Sequence, residues 1–256
     1  MVNKKPGSLL VIGMVICNLI ASPLVAQQRD RFVFSQLRYK GGDWDPYPTA
    51  YKEILHYLTT TTSVKVQIAK RDLSLNDPEL FFSPFLYLAG KEEFAPFTAQ
   101  EIENLRRYLS CGGLLFIDDA SEETNLGFNR AVHREMEKLF PDGKLKRIPP
   151  DHAVFRSFYL SPSVVGRRVG NPYLEGIDID GQTVVIYSRN DLGGAWVRDR
   201  LGNWLYECVP GGELQRLEAI KLFLNIVIYS LTGTYKRDAI HQPYIQQKLK
   251  TRKTAP

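Results

Sequence analysis

Apolar positions along this chain switch between strand and helix spacing. Arg31–Tyr39 (RFVFSQLRY) alternates and is rich in β-formers, which predicts a first strand ending in the turn-forming run Lys40-Gly41-Gly42-Asp43-Trp44-Asp45-Pro46-Tyr47-Pro48. Pro48 and Thr49 then open a helix through Tyr57, with Tyr51, Ile54, Leu55 and Leu58 on one face. Val64–Ala69 is a short second strand. Leu80–Leu88, with Phe85-Leu86-Tyr87-Leu88 inside it, is a third that stops at Ala89-Gly90. Thr98 and Glu101 have the spacing of a capping box, and Ile102, Leu105, Tyr108 and Leu109 supply the apolar stripe of a helix over 98–110.

Gly112-Gly113-Leu114-Leu115-Phe116-Ile117-Asp118-Asp119 carries the most information. An all-apolar run of this length is a strand buried on both faces, as in a parallel sheet covered by helices, and here it ends in two carboxylates. Ligands of such sheets sit outside the carboxyl ends of the strands, so the acids stand where a site belongs. A helix over Asn129–Leu139 follows, ended by Phe140-Pro141-Asp142-Gly143. The proline-rich connector Ile148–His152 leads to Val154–Tyr159. Asp180-Gly181 is a strong two-residue turn, so Leu174–Ile179 and Thr183–Ser188 read as a hairpin. Leu214–Leu231 is a long helix. The alternation predicts one α/β domain over 27–235, a three-layer sandwich with a mostly parallel central sheet and a mixed edge hairpin, followed by a basic tail over 236–256.

The first residues change the compartment. Lys4-Lys5 precede the apolar stretch Ser8–Ile20, and Ala21-Ser22-Pro23-Leu24-Val25-Ala26 supplies a helix breaker and a small residue before Gln27. Residues 1–26 therefore read as a signal peptide, giving a periplasmic or secreted chain. The alternative is an uncleaved helix anchored in the inner membrane. The net charge of +5 falls to +3 once Lys4 and Lys5 leave, too mild for a nucleic-acid partner. Outside the cytoplasm Cys111 and Cys208 are permitted a disulfide, but two buried, inert thiols are the favoured reading.

The candidate chemistry collects at the predicted carboxyl edge: Asp118 and Asp119, Asp43 and Trp44 after the first strand, His152 in the connector, and Asn190 and Asp191 after the last strand. These seven residues form a candidate ligand-binding cluster with no assigned catalytic residue. Adjacent residues of a strand point to opposite faces, so Asp118 and Asp119 share a ligand only where the chain turns. No organic cofactor is expected. A divalent cation is compatible with the acids but needs several oxygen ligands. Gly41-Gly42 lacks the Lys-Ser/Thr pair of a phosphate loop, and no G-x-S-x-G elbow is present for a serine hydrolase.

Several segments together resemble an uncharacterised bacterial family, domain of unknown function 4159. They are Phe32–Trp44, Asp77-Pro78-Glu79-Leu80-Phe81 with Pro84-Phe85-Leu86-Tyr87, Leu109–Asp119, Pro149-Pro150-Asp151-His152 with Phe155 and Tyr159, Asn190-Asp191-Leu192-Gly193 to Trp196, and Ala219–Leu231. The resemblance implies a class I glutamine amidotransferase-like, or flavodoxin-like, fold in an exported or membrane-associated protein with no established activity. It further implies an envelope or membrane protein partner. In the amidotransferases a nucleophilic cysteine stands at the elbow after the corresponding strand. Here Asp118-Asp119 occupy that place and Cys111 precedes the strand, so glutaminase activity is not expected. The implied role is a non-catalytic binding or scaffold module of the envelope. The alternatives are an exported hydrolase using Asp118 or Asp119 as general base or metal ligand, and a purely structural subunit.

Overall fold

The computed structural model describes residues 31–122, 125–161 and 163–253, with side chains as far as Thr232. The expected leader, residues 1–26, lies outside the described residues. Seven strands, β1 (Phe32–Leu37), β2 (Val66–Leu73), β3 (Phe85–Gly90), β4 (Leu114–Asp119), β5 (Lys146–Arg147), β6 (Glu175–Ile179) and β7 (Gln182–Ser188), form one sheet in the order β2-β1-β3-β4-β7-β6-β5. Pairings from β2 through β7 are parallel, and the β7-β6 and β6-β5 pairings are antiparallel. The chain first winds outward from β1 to β2, then the other way through β3, β4 and β7. β4, with its two acids, is the central strand, as the sequence suggests.

Four helices, α1 (Ala50–Thr61), α2 (Ala99–Ser110), α3 (Gly127–Leu139) and α4 (Gly212–Lys253), cover the sheet. Strand residues alternate between two apolar faces, as the all-apolar runs require. Phe85, Tyr87, Phe116 and Ile186 pack with Ile54 and Leu58 of α1 and with Phe223 of α4. Leu86, Leu88, Ile117 and Tyr187 pack with Leu105 of α2 and with Phe128 and Met136 of α3. Phe223 anchors the first face, its ring edge-on to Phe116 at 5.4 Å and to Tyr87 at 5.7 Å. The capping box at Thr98 and Glu101 is formed, and both turn residues of the β6-β7 hairpin have positive φ (Asp180 50°, Gly181 75°).

Some boundaries differ from the sequence expectation. α1 runs past Tyr57 to Thr61, and in this last turn the Thr59, Thr60 and Thr61 hydroxyls bond back to the carbonyls of Leu55, His56 and Tyr57. Pro78–Phe82 is a 3₁₀ turn opened by its proline, so the third strand begins at Phe85 rather than Leu80. Val154 and Phe155 lie in another 3₁₀ turn, Ala153–Arg156. α4 continues to Lys253, into the basic segment over 236–256. Cys111 and Cys208 are not bridged, and Cys111 is exposed rather than buried because it caps α2 at the edge where β4 begins. No helix among the described residues is long and apolar enough to cross a membrane.

Gly90 shows how tightly the carboxyl edge is packed. A Cβ there would stand 2.6 Å from Phe128 Cε2 and would also strike the Tyr39 hydroxyl. Gly90→Ala should therefore destabilise the fold by about 1–3 kcal/mol through overpacking, measured as a lower urea midpoint. An unchanged midpoint would show that α3 can withdraw.

Candidate functional site

Asp118 leaves β4 on the α1/α4 face and is fully buried. Its Oδ2 accepts from the Tyr87 hydroxyl at 2.8 Å and the Gly193 amide at 2.7 Å, and its Oδ1 from the Leu192 amide at 2.9 Å. Asp191 is also fully buried. It accepts from the Tyr47 hydroxyl at 2.9 Å and the Gly194 amide at 3.2 Å, and pairs with Arg167. The two acids thus fasten the loop after β7, where Gly193–Trp196 forms a 3₁₀ turn. Asn190 clamps the connector: its Oδ1 accepts from Gly170 and Asn171 amides, and its Nδ2 donates to Val164 and Asn171 carbonyls. That uses its full hydrogen-bonding capacity. The connector approaches so closely that a Cβ at Gly166 would stand 2.6 Å from the Asn190 carbonyl carbon.

Burial, then the neighbouring Asp191 charge, raises the Asp118 carboxyl to about 7. Burial also raises Asp191, opposed by Arg167. Tyr87 and Tyr47 are pushed well above the ordinary phenol range, first by burial and then by these carboxylates, so both stay protonated as donors.

Asp119 takes the opposite face, as strand alternation demands, and does not share a ligand with Asp118. Its Oδ1 accepts from the Ser121 amide at 2.9 Å and from the Ser121 hydroxyl, and its Oδ2 from Tyr187 at 3.2 Å. Beside it lies a cavity of about 220 Å³ at the carboxyl ends of β4 and β7. Asp119, Ser121 and Glu122 line it from the β4 side and Arg168, Gly170 and Arg189 from the connector and β7 side, with Leu126 as the apolar member.

The remaining expected residues are dispersed. Trp44 packs on the α2/α3 face, its carbonyl accepting from Gln36 Nε2 at 2.8 Å and Lys70 lying over its ring. The Asp43 carbonyl accepts from Tyr39. Gly41 and Gly42, both at positive φ, let this loop lie against residues 92–95. The residue of this loop that reaches the buried acids is Tyr47.

His152 is misplaced in the edge cluster. Its ring stands 3.1 Å from the Thr183 hydroxyl, at the start of β7, the opposite end of the strand from Asn190. The connector enters beside β5 and the β6-β7 turn, which puts it at the amino edge of the sheet. There His152 Nδ1 accepts from the Val154 amide and caps the 3₁₀ turn. Conversely, Arg167 and Arg168 were not singled out by sequence, though Gly166-Arg167-Arg168-Val169-Gly170, a basic pair between glycines, was the available signal. No group of three or more His, Cys, Asp or Glu residues among the described residues is placed to hold a metal ion.

Residues 33–231 match the model of the family described as domain of unknown function, DUF4159. The chain belongs to this family. The matched span of the DUF4159 domain runs from β1 into α4 and includes every residue of the edge cluster and the cavity. No curated protein matches the chain.

The Asp118 carboxyl titrates near 4 in the unfolded chain and near 7 in the fold, so the folded state holds more protons between those values. Its contribution to stability is present below pH 4 and lost as pH rises toward 7. Calorimetric unfolding temperatures should fall across that window, and the fall should be shallower in Asp118→Asn. Equal slopes would assign the pH dependence to other groups.

Proposed function

We propose that this DUF4159 domain is a non-catalytic binding module of the bacterial envelope, exported behind residues 1–26, which takes a small ligand in the cavity beside Asp119. The observation that carries the reading is a division at the carboxyl edge. Asp118, Asn190 and Asp191 are buried and engaged with loop amides, while a cavity of about 220 Å³ opens next to them. A general base needs an oxygen within reach of the proton it removes, and Asp118 is fully buried with both oxygens engaged. That weighs against the hydrolase alternative. The strand order β2-β1-β3-β4-β7 supports a flavodoxin-like arrangement, the type to which the amidotransferase-like fold belongs. In that frame Asp118 stands where a nucleophile would be, and Cys111 caps the preceding helix, before β4 begins.

The test is thermal unfolding of the purified protein against a panel of sugars, amino acids, phosphate esters, peptides and divalent cations. A ligand at about a hundred times its Kd adds roughly 2.7 kcal/mol, on the order of a few degrees for this size. The expected result is a saturable shift that disappears in Leu126→Trp, which fills the cavity. Hydrolytic turnover lost in Asp118→Asn would overturn the non-catalytic reading.

A further inference from the structure

The cavity beside Asp119 holds two arginines that the fold does not saturate. Arg168 donates through Nη2 to the Ser121 carbonyl, and its buried Nε, without a hydrogen-bond acceptor, lies 4.0 Å from Asp191 Oδ2, within ion-pair range. Arg189 also keeps a buried Nε without an acceptor, and among the described residues it makes no ion pair. Those Nε atoms are shut away from the cavity, so a ligand there would meet the outer guanidinium nitrogens, and the Arg189 side chain makes no hydrogen bond among the described residues.

The nearby carboxylates leave Arg189 without an ion pair among the described residues. Asp119 Oδ1 is held by the Ser121 amide and hydroxyl, and its Oδ2 shares the Tyr187 hydroxyl, 3.2 Å away, with the nearer Asn129 Oδ1 at 2.8 Å. Asp191 is paired with Arg167 and lies within ion-pair range of Arg168. Glu122 is exposed. The arginine backbones are nevertheless fixed: the Arg168 amide donates to the Asn190 carbonyl at 3.1 Å, and Arg189 directly precedes the Asn190 clamp. A cavity at the other edge, beside His152, differs in this respect. Its Val154-His152-Thr183-Asp178 chain is hydrogen-bonded from end to end.

We propose that Arg168 and Arg189 form an oxyanion site, binding the phosphate or carboxylate group of a small molecule in this cavity. The guanidinium fork matches either group. A volume of about 220 Å³ suits a small molecule. Asp119 and Glu122 on the opposite side disfavour polyanions and favour a ligand with one anionic group and hydroxyl or amine groups elsewhere. The inference rests on the binding reading of the same cavity.

The experiment is calorimetric titration of the purified protein with inorganic phosphate, glycerol phosphate and succinate, using a neutral hexose and a blocked dipeptide as uncharged probes. The proteins compared are wild type, Arg189→Gln, Arg189→Lys and Leu126→Trp. Because Arg189 has no partner to lose, Arg189→Gln should unfold at the wild-type temperature without ligand. Saturable binding of a phosphate or carboxylate probe, weakened at least tenfold in Arg189→Gln and partly kept in Arg189→Lys, is expected. Which probe binds identifies the oxyanion. General stabilisation by phosphate as a salt would be equal in all four proteins, and if it were the only effect the proposal would fall. Binding of an uncharged probe, lost in Leu126→Trp but unchanged in Arg189→Gln, would overturn the oxyanion site and leave the binding reading standing. No saturable binding of any probe would overturn both.

Discussion

Everything at the carboxyl edge of this sheet depends on one buried carboxylate. Asp118 ends the central strand without access to water, where an unpaired charge would be prohibitive. Its tolerance rests on three donors brought from two distant parts of the chain: Tyr87 on the adjacent β3, and the Leu192 and Gly193 amides after β7. Those amides reach it only because the loop folds back over the sheet. The returning loop in turn buries Asp191, which needs Tyr47 and Arg167. β3, β4, the loop after β1 and the connector before β6 are thereby joined through two fully buried carboxylates.

That arrangement decides which charges remain for chemistry. Acids at the carboxyl end of a parallel sheet suggest bases or metal ligands, but here their lone pairs are filled by the backbone they organise. Among the described residues, the charged groups left without a hydrogen-bond acceptor at a buried nitrogen are Arg168 and Arg189. The loop that satisfies Asp118 carries Arg189 to the wall of the cavity on the residue before Asn190, so the internal anchor and the cavity lining are consecutive in sequence.

The layered fold was legible because its cause is local. All-apolar runs such as Leu114–Ile117 can be buried only between two layers of helices, and Thr98 with Glu101, or Asp180-Gly181, mark ends by chemistry contained within a few residues. The site was only half legible. Asn190, Asp191, Asp118 and Asp119 follow their strands and so reach the expected edge. His152 does not, because a connector between helix and edge hairpin carries no periodicity that says which end of the sheet it crosses. Arg168 was invisible for a related reason. Its position comes from hydrogen bonds made by Asn190, a long-range clamp that leaves only the flanking glycines as a local trace.

Strand alternation explains why neighbours with the same side chain differ in role. Asp118 faces α1 and α4, where Phe116, Tyr87 and Phe223 exclude water and a carboxylate must be satisfied from within. Asp119, one residue on, faces the side of α2 and α3, where Ser121, Glu122 and Leu126 line a cavity beside the start of α3. A helix there would place both acids on neighbouring parts of one surface. The extended backbone instead makes one of them structural and gives the other a cavity, so the doublet is two sites of different kind rather than one pair. Its spacing alone carries no evidence for two-carboxylate catalysis.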